Sequence, residues 1–248
     1  MRRAGTWAAA AMVCGVGSLA VLAGSAAWAE VEREKTTMTT EDGFEQILGQ
    51  HDGRYTKHGW NHYGPGFFDL DPETGELTSH GGMGLLWYAA QEYSDFVLEL
   101  EFKCEDEYTN SGVFVRVPGV PTSDDYIYHS FEVQIDEAAE GIHGTGGIYD
   151  AEAPAVEAAK PPGEWNQYRI GFIGDRINVD LNGERVIGWM AEARGKVTDF
   201  APRGYIGLQN HDDRSAVYFR NIRVKEVGEK PAGSGAGGAT LFSSRARM

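Results

Sequence analysis

One short segment of this chain carries a regular arrangement of acids and an amide. In residues 131–136, Glu132, Gln134 and Asp136 alternate with three apolar residues. Because successive side chains of a β-strand point to opposite faces of a sheet, the three polar groups are expected to lie on one face. Carboxylates placed in this way could exchange protons with a substrate, orient another catalytic group or bind a cation.

Two further segments also place polar side chains on one face of a predicted strand. In residues 204–211, Gln209 and His211 share one face of a predicted strand. In residues 112–117, Arg116 is expected on the face opposite to the valines. If the three strands belong to one sheet, they form a polar cleft with carboxylates, an imidazole, a guanidinium and amides. Charged groups clustered on a sheet face cost desolvation energy unless they are paired or functional, which favours an active site over a merely solvated face.

The strands that would position these groups show a hydrophobic period of two. Apolar residues alternate with polar residues over 96–102, 168–172 and 177–181, which predicts half-buried strands. Tight-turn signals at Gly174-Asp175 and Asn182-Gly183 lie on either side of the last of these strands. Together they predict an antiparallel meander.

The final predicted strand and the scarcity of helical patterns complete the fold prediction. Residues 216–227 change the parity of their apolar positions near Arg220-Asn221, which predicts a β-bulge there. The pattern suggests a helix only for residues 40–48. Many short strands with glycine-rich turns predict an all-β fold, either a β-sandwich or a barrel.

The composition of the chain excludes several classes of partner. The chain has 248 residues, 37 acidic and 22 basic side chains, a formal net charge of -15 and a pI of about 4.8. A nucleic-acid-binding protein needs a basic surface to neutralise phosphates, and an anionic membrane attracts basic proteins. We therefore expect no nucleic-acid partner and no membrane docking. Hydrophobic residues make up 42% of the chain, enough for a packed core.

The two ends of the chain lack the pattern of its body. A basic start, a long uncharged apolar stretch and an Ala-Trp-Ala motif predict a signal peptide over residues 1–29. A retained membrane anchor is the alternative, because the apolar stretch is long enough to span a bilayer. We expect residues 30–41 to form a flexible lead and residues 42–227 to form a single domain. Residues 228–248, which are rich in glycine, alanine and serine, are expected to form a disordered tail. After cleavage the protein would be secreted or periplasmic, and Cys104 would be its only cysteine.

Eight short motifs follow one another in a specific order along the body. They are YSDF at 93–96, NSGVFVR at 110–116, FEVQID at 131–136, TGGIY at 145–149, KPPGEWN at 160–166, LNG at 181–183, GLQNH at 207–211 and FRNIR at 219–223. The ordered set resembles the 3-keto-disaccharide hydrolase family, also described as 3-keto-glucoside 1,2-lyase/3-keto-2-hydroxy-glucal hydratase. The resemblance implies a concanavalin-like jelly-roll β-sandwich of two antiparallel sheets and an enzyme acting on glucosides already oxidised at C3.

The implied reaction assigns tasks to the polar residues. A ketone at C3 acidifies the C2 hydrogen, so a base can remove it, the C1 aglycone can leave by elimination, and water can add to the resulting glucal. His211 is the first candidate for the base, since an imidazole suits proton transfer near neutral pH. Glu132 or Asp136 could instead be the base or orient His211. Arg116 is the candidate for stabilising the enolate.

The remaining candidates are expected to bind the sugar, and a metal is left open. Amides suit sugar hydroxyl groups, an aromatic ring can stack on a sugar, and loop residues can line the rim of the cleft. The substrate-binding set is Gln134, Gln209, Tyr149, His143, Lys160 and Trp165. A divalent cation held by Asp136, Glu132 and His211 would also polarise the ketone, although the chain has no compact metal-binding motif.

Two other functions are compatible with the predicted fold. One is a lectin-like carbohydrate-binding module without turnover, and the other is a structural surface protein. The titratable set favours an enzyme, because a module that only binds sugar relies on aromatic and amide groups. The sequence leaves open whether the enzyme is a lyase, a hydratase or both.

Overall fold

The computed structural model describes residues 42–211 and 213–228. The predicted signal peptide, the predicted lead and the predicted tail beyond residue 228 lie outside the described residues. Within the described part, no helix is long and apolar enough to cross a lipid bilayer.

Two antiparallel β-sheets pack face to face in the described part of the chain, which confirms the predicted all-β sandwich. The strands are β1 (Glu45–Gln46), β2 (Gln50–His51), β3 (Arg54–Tyr55), β4 (Trp60–Tyr63), β5 (Phe67–Leu70), β6 (Leu77–His80), β7 (Gly84–Tyr88), β8 (Phe96–Cys104), β9 (Asn110–Val117), β10 (Phe131–Asp136), β11 (Asn166–Ile173), β12 (Arg176–Leu181), β13 (Glu184–Met190), β14 (Tyr205–Asn210) and β15 (Val217–Glu226). The eight-stranded sheet has the order β13-β12-β11-β8-β15-β6-β5, with β1 paired to β15. The five-stranded sheet has the order β10-β9-β14-β7-β4, and β2 and β3 form a separate ribbon. Short 3₁₀ turns occur at Asp124–Tyr128 and Gly141–His143.

The core lies between the two sheets and is built from the alternate apolar residues of each strand. Phe131 of β10 meets Phe172 of β11 across the sandwich, with ring centroids 5.9 Å apart. Both side chains are fully buried, and burying a phenylalanine stabilises a fold by about 1.5–3 kcal/mol. The polar residues that alternate with these positions point outward, so the polar side chains of a strand lie on the outer face of its sheet.

The meander and the bulge predicted from the sequence are both confirmed. Strands β11, β12 and β13 are consecutive neighbours in the eight-stranded sheet. The register of β15 against β8 shifts between Arg220 and Arg223, and Asn221 has a φ of 54°. Asparagine tolerates this left-handed conformation better than most residues, which explains how the strand absorbs the extra residue.

The helix predicted for residues 40–48 is wrong where the segment is described. Residues Glu45–Gln46 pair with β15 as β1. The backbone N–H groups of Ile47 and Leu48 both donate to Ile222 O, at 3.0 and 3.4 Å. Both side chains are buried in the core, so packing against β15 outweighs a weak local preference for helix.

Strand β10 is the outermost strand of the five-stranded sheet, but its edge is covered. Gly146 N donates to Gln134 O (3.0 Å), and Tyr149 N donates to Glu132 O (2.9 Å). From the opposite sheet, Tyr168 Oη also donates to Gln134 O (2.6 Å). The loop after β10 and the core tyrosine therefore hold the strand that carries the predicted acids.

Candidate functional site

A pocket of about 70 Å³ lies on the outer face of the five-stranded sheet. It collects side chains from β9, β10 and β14 and from several connecting segments. The predicted catalytic residues Glu132 and His211 both line it, together with the predicted sugar-binding residues Gln134, Gln209 and Tyr149. The remaining lining residues are Met83, Asn110, Ile127 and Lys196.

Strand register separates this face into a polar half and an aromatic half. Glu132 of β10 lies opposite Phe114 of β9, and Phe114 lies opposite Gly207 of β14. Gly207 in turn lies opposite Trp87 of β7. The ring of Tyr126 covers Phe114 edge-on, with centroids 5.0 Å apart. The aromatic half is therefore closed, and Glu132 lies where it meets the polar half.

Burial controls the charge of Glu132. The residue is 6% exposed, and burial raises the pKa of its carboxyl to about 8. The positive charge of Lys196 opposes this change, and the negative charge of Asp136 adds to it. Glu132 is therefore mostly protonated at neutral pH and can donate a proton there.

Gly112 provides the space in which the Glu132 carboxyl lies. A Cβ atom at position 112 would lie 2.1 Å from Glu132 Oε1 and 2.5 Å from Glu132 Cγ. Gly112 does not adopt the left-handed conformation. The glycine is therefore required for the close approach of a side chain rather than for a turn.

We expect the substitution Gly112→Ala to push the Glu132 carboxyl towards solvent and to lower its pKa from about 8 towards 4.5, its ordinary value. Carbon-13 NMR of the Glu132 carboxyl during a pH titration measures this. Gly171→Ala is the matched control, because Gly171 also lies inside a strand and no described atom is within 4 Å of its Cβ position. An unchanged titration in Gly112→Ala would show that the glycine does not confine the carboxyl.

Two amide oxygens at the pocket have no hydrogen-bond donor. Gln134 Oε1 and Gln209 Oε1 are buried, and none of the described residues donates to either oxygen. A buried acceptor without a donor costs about 1–3 kcal/mol. A bound hydroxyl group would recover that energy, so the two amides suit the sugar-binding task predicted for them.

Lys196 brings a positive charge to the pocket, although no sequence motif predicts it as a site residue. Its Nζ donates to Tyr149 Oη (3.2 Å) and lies 4.5 Å from the centre of the Tyr149 ring. Burial lowers the pKa of Lys196, but its hydrogen bond to Tyr149 and the neighbouring acidic groups outweigh burial and raise that pKa. The residue lies in the irregular connection between β13 and β14, where no hydrophobic period marks its position.

Arg116 does not reach the pocket. The register of β14 against β9 shifts beside it and its φ is 57°, so β9 has a bulge at this residue. The guanidinium donates to Ser94 O (2.7 Å) and Gly174 O (3.0 Å) and stacks on the Phe172 ring at 3.5 Å. The bulge has reversed the side-chain direction expected from regular alternation, and Arg116 is only 2% exposed. The cation near the predicted acids is Lys196 rather than Arg116.

Asp136 lies beside the pocket and acts on one of its lining residues. One carboxylate oxygen accepts a hydrogen bond from Asn110 Nδ2 (2.9 Å), and the other accepts from the N–H groups of Ala138 and Ala139. Asp136 therefore orients Asn110. Across residues 42–211 and 213–228, no three His, Cys, Asp or Glu side chains are arranged to hold a metal ion.

Three other predicted sugar contacts lie outside the pocket lining. His143 is at the rim beside Tyr149, with ring centroids 4.9 Å apart. Trp165 contacts basic side chains of β8 and β15 on the outer face of the eight-stranded sheet. Lys160 Nζ donates to Trp165 O (2.9 Å). The structure does not bring Lys160 or Trp165 to the site, because both lie in the segment that leads into β11 of the eight-stranded sheet.

The chain is similar in sequence to one known protein family. The sequence profile of the family described as the 3-keto-alpha-glucoside-1,2-lyase-like domain matches residues 43–225. A protein of Bacteroides thetaiotaomicron named 3-keto-disaccharide hydrolase is 27% identical to this chain. The alignment covers 74% of this chain and 78% of that protein.

Solved structures show the same fold. A proposed glycosyl hydrolase from Parabacteroides distasonis has a TM-score of 0.59 at 27% identity and covers 74% of this chain and 99% of its own. A second proposed glycosyl hydrolase from the same organism has a TM-score of 0.63 at 21% identity. The match covers 77% of this chain and 99% of that one. A Bacillus subtilis protein with a galectin-like fold has a TM-score of 0.51 at 14% identity. The match covers 74% of this chain and 94% of that one. The last two likenesses concern the fold alone and agree with the expected jelly-roll class.

Proposed function

This chain belongs to the 3-keto-alpha-glucoside-1,2-lyase-like domain family, and on that premise we propose that it cleaves glycosides whose glucosyl unit is oxidised at C3. The observation that carries the proposal is a buried carboxyl with a pKa of about 8 in one pocket with an imidazole and an ammonium group. We propose that the enzyme acts after export, on the strength of the leader predicted over residues 1–29.

The proposed reaction has two stages. A base removes the C2 proton, and the electron pair of the C–H bond forms an enolate with the C3 oxygen. The enolate then reforms the ketone, makes a C1–C2 double bond and expels the aglycone oxygen, which takes up a proton. Addition of water across the double bond restores a hydroxyl at C1 and a hydrogen at C2, so the net result is hydrolysis.

The pocket contains groups suited to each of these needs. We assign His211 as the base at C2. Glu132, protonated at neutral pH, donates its proton to the departing C1 oxygen. Lys196, which donates a hydrogen bond to Tyr149, stabilises the negative charge of the enolate. The free amide oxygens described above accept hydrogen bonds from the sugar hydroxyl groups.

The size of the pocket suggests how the substrate lies. The pocket of about 70 Å³ is below the range of roughly 300–1,000 Å³ that is usual for ligand sites, so it takes only the reacting edge of one ring. A neighbouring depression of about 390 Å³ shares Met83 and His211 with it and is otherwise lined largely by glycines. The rest of the substrate would lie in that depression.

The proposed function is tested by comparing matched substrates. The purified protein is incubated with a methyl glucoside oxidised at C3 and with the same glucoside unoxidised. We expect methanol from the oxidised compound alone, because only the ketone acidifies the C2 hydrogen. A product with ultraviolet absorbance of an enone would report the glucal, and free 3-keto-glucose would report hydration.

The same assay distinguishes the alternatives. Binding of the oxidised glucoside without release of methanol would favour a lectin-like module and overturn the proposed enzyme. Release from both glucosides would overturn the role of the ketone. Repeating the assay with a chelator tests the divalent cation that the sequence left open.

A further inference from the structure

Lys196 lies on a tight turn that is fixed to the body of the protein. Val197 N donates to Arg194 O (3.0 Å), which closes the turn, and the side chain of Val197 is buried in the core. Between them, Gly195 has a φ of 59°, in the left-handed region that favours glycine. The turn therefore presents Lys196 from a defined backbone.

Gly195 rests directly on the backbone of Asp150. A Cβ atom at position 195 would lie 1.9 Å from Asp150 O and 2.7 Å from Asp150 Oδ2. Backbone carbonyl groups cannot give way as the end of a flexible side chain can. Because Asp150 directly follows Tyr149, this contact sets the distance between the Lys196 turn and the phenol that accepts its hydrogen bond.

Hydrogen bonds hold the turn from both sides. Arg194 Nη1 donates to Ala151 O (3.1 Å) and to Glu152 Oε2 (2.8 Å). On the other side, Thr198 donates to Tyr128 O through its N–H (2.9 Å) and its Oγ1 (3.2 Å). Tyr128 directly follows Ile127, another lining residue of the pocket. The turn thus bridges two walls of the site.

We infer that Gly195 is a positioning residue, whose missing side chain lets the turn dock on Asp150 and so places the Lys196 ammonium against Tyr149 in the pocket. This inference rests on the proposed function for its catalytic consequence, since Lys196 is the group assigned to the enolate. A long, flexible lysine side chain stabilises a transition state only if its starting point is fixed.

The test compares two glycines with similar positive φ values. Gly195→Ala should lower kcat roughly 10- to 100-fold with a small change in KM, because a displacement of about 1 Å has effects of this size. Gly174→Ala is the control: Gly174 has a φ of 55°, but no described atom lies within 4 Å of its Cβ position. Its substitution carries the same backbone strain without the clash, so kcat should be retained.

A second readout does not depend on turnover. The charge of Lys196 lowers the pKa of Glu132, so moving the turn away should raise that pKa further in Gly195→Ala and leave it unchanged in Gly174→Ala. If the wild-type protein does not cleave 3-keto-glucosides, the proposed function fails, and this titration still tests the position of Lys196. Equal Glu132 titrations and equal kcat values in the two variants would overturn the inference.

A milder pair of variants covers the case in which Gly195→Ala does not fold. Thr198→Val keeps the shape of the side chain and removes the Oγ1 bond to Tyr128 O, which should lower kcat about 3- to 10-fold. Thr198→Ser restores the hydroxyl and should recover the activity. No difference between the valine and serine variants would contradict the inferred anchoring.

Discussion

Glu132→Gln is expected to lower kcat for an alkyl 3-keto-glucoside roughly 100- to 10,000-fold, the range typical for loss of a general acid. Glutamine keeps the size of the side chain and its place over Gly112 but has no acidic proton for the departing oxygen. The loss should be much smaller for a nitrophenyl 3-keto-glucoside, because nitrophenolate leaves without a proton. Wild-type activity on the alkyl substrate should also fall as the pH rises through about 8, where Glu132 loses its proton.

The same substitution is expected to stabilise the fold. In the unfolded chain the carboxyl releases its proton as the pH rises through 4.5, whereas the folded chain keeps that proton until the pH approaches about 8. The unfolded state therefore binds fewer protons in this window, and the free energy of unfolding falls as the pH rises. Because glutamine does not titrate, the variant should gain about 1–3 kcal/mol at pH 7 and little at pH 4.

Kinetics with both leaving groups and urea unfolding at pH 4 and 7 measure these effects. Glu137→Gln is the matched control, since burial also raises the pKa of Glu137 but its side chain does not line the pocket. That variant should keep its activity on both substrates. An equal loss on the alkyl and nitrophenyl compounds in Glu132→Gln would rule out proton donation to the leaving oxygen.

His211→Ala is expected to stop proton removal at C2 and to lower kcat on both kinds of leaving group, roughly 100- to 10,000-fold. The specific measurement uses 1,5-anhydroglucitol oxidised at C3, which has a C2 hydrogen but no leaving group at C1. In heavy water the wild-type enzyme should exchange that hydrogen for deuterium, and proton NMR follows the loss of the signal. The exchange should disappear in His211→Ala and persist in Glu132→Gln.

The two variants thus separate the steps of the reaction. His58→Ala controls for removal of an imidazole, because His58 is exposed and outside the pocket lining. Persistent exchange at C2 in His211→Ala would remove His211 as the base. If exchange were lost in Glu132→Gln instead, the carboxyl rather than the imidazole would be the base.

The regular alternation of side chains along a strand was enough to predict which strand residues face the pocket. Glu132, Gln134 and Gln209 lie on regular strands, where the direction of a side chain follows from its parity alone. His211 directly follows β14 and also lines the pocket. The same local rule predicted β8, β11, β12 and β15 of the eight-stranded sheet, since each of these strands has its own apolar face.

Alternation could not predict the positions of side chains that lie on irregular backbone. Arg116 has the parity of an outward-facing residue, and only the bulge in β9 turns it away. Lys196 depends on contacts with Asp150 and Tyr128, which are distant in sequence. Gly112 pairs with Gln134 across the two strands and lies against the neighbouring Glu132 side chain. This contact depends on strand pairing, so the need for a glycine there becomes visible only in three dimensions.

The covered edge of β10 has a consequence for self-association. An outermost strand with free backbone groups can recruit the strand of another molecule and start an intermolecular sheet. Here the loop after β10 already occupies that edge through Gly146 and Tyr149. The strand that carries Glu132 therefore cannot pair with a strand of another molecule. Loosening this loop would lower solubility as well as activity.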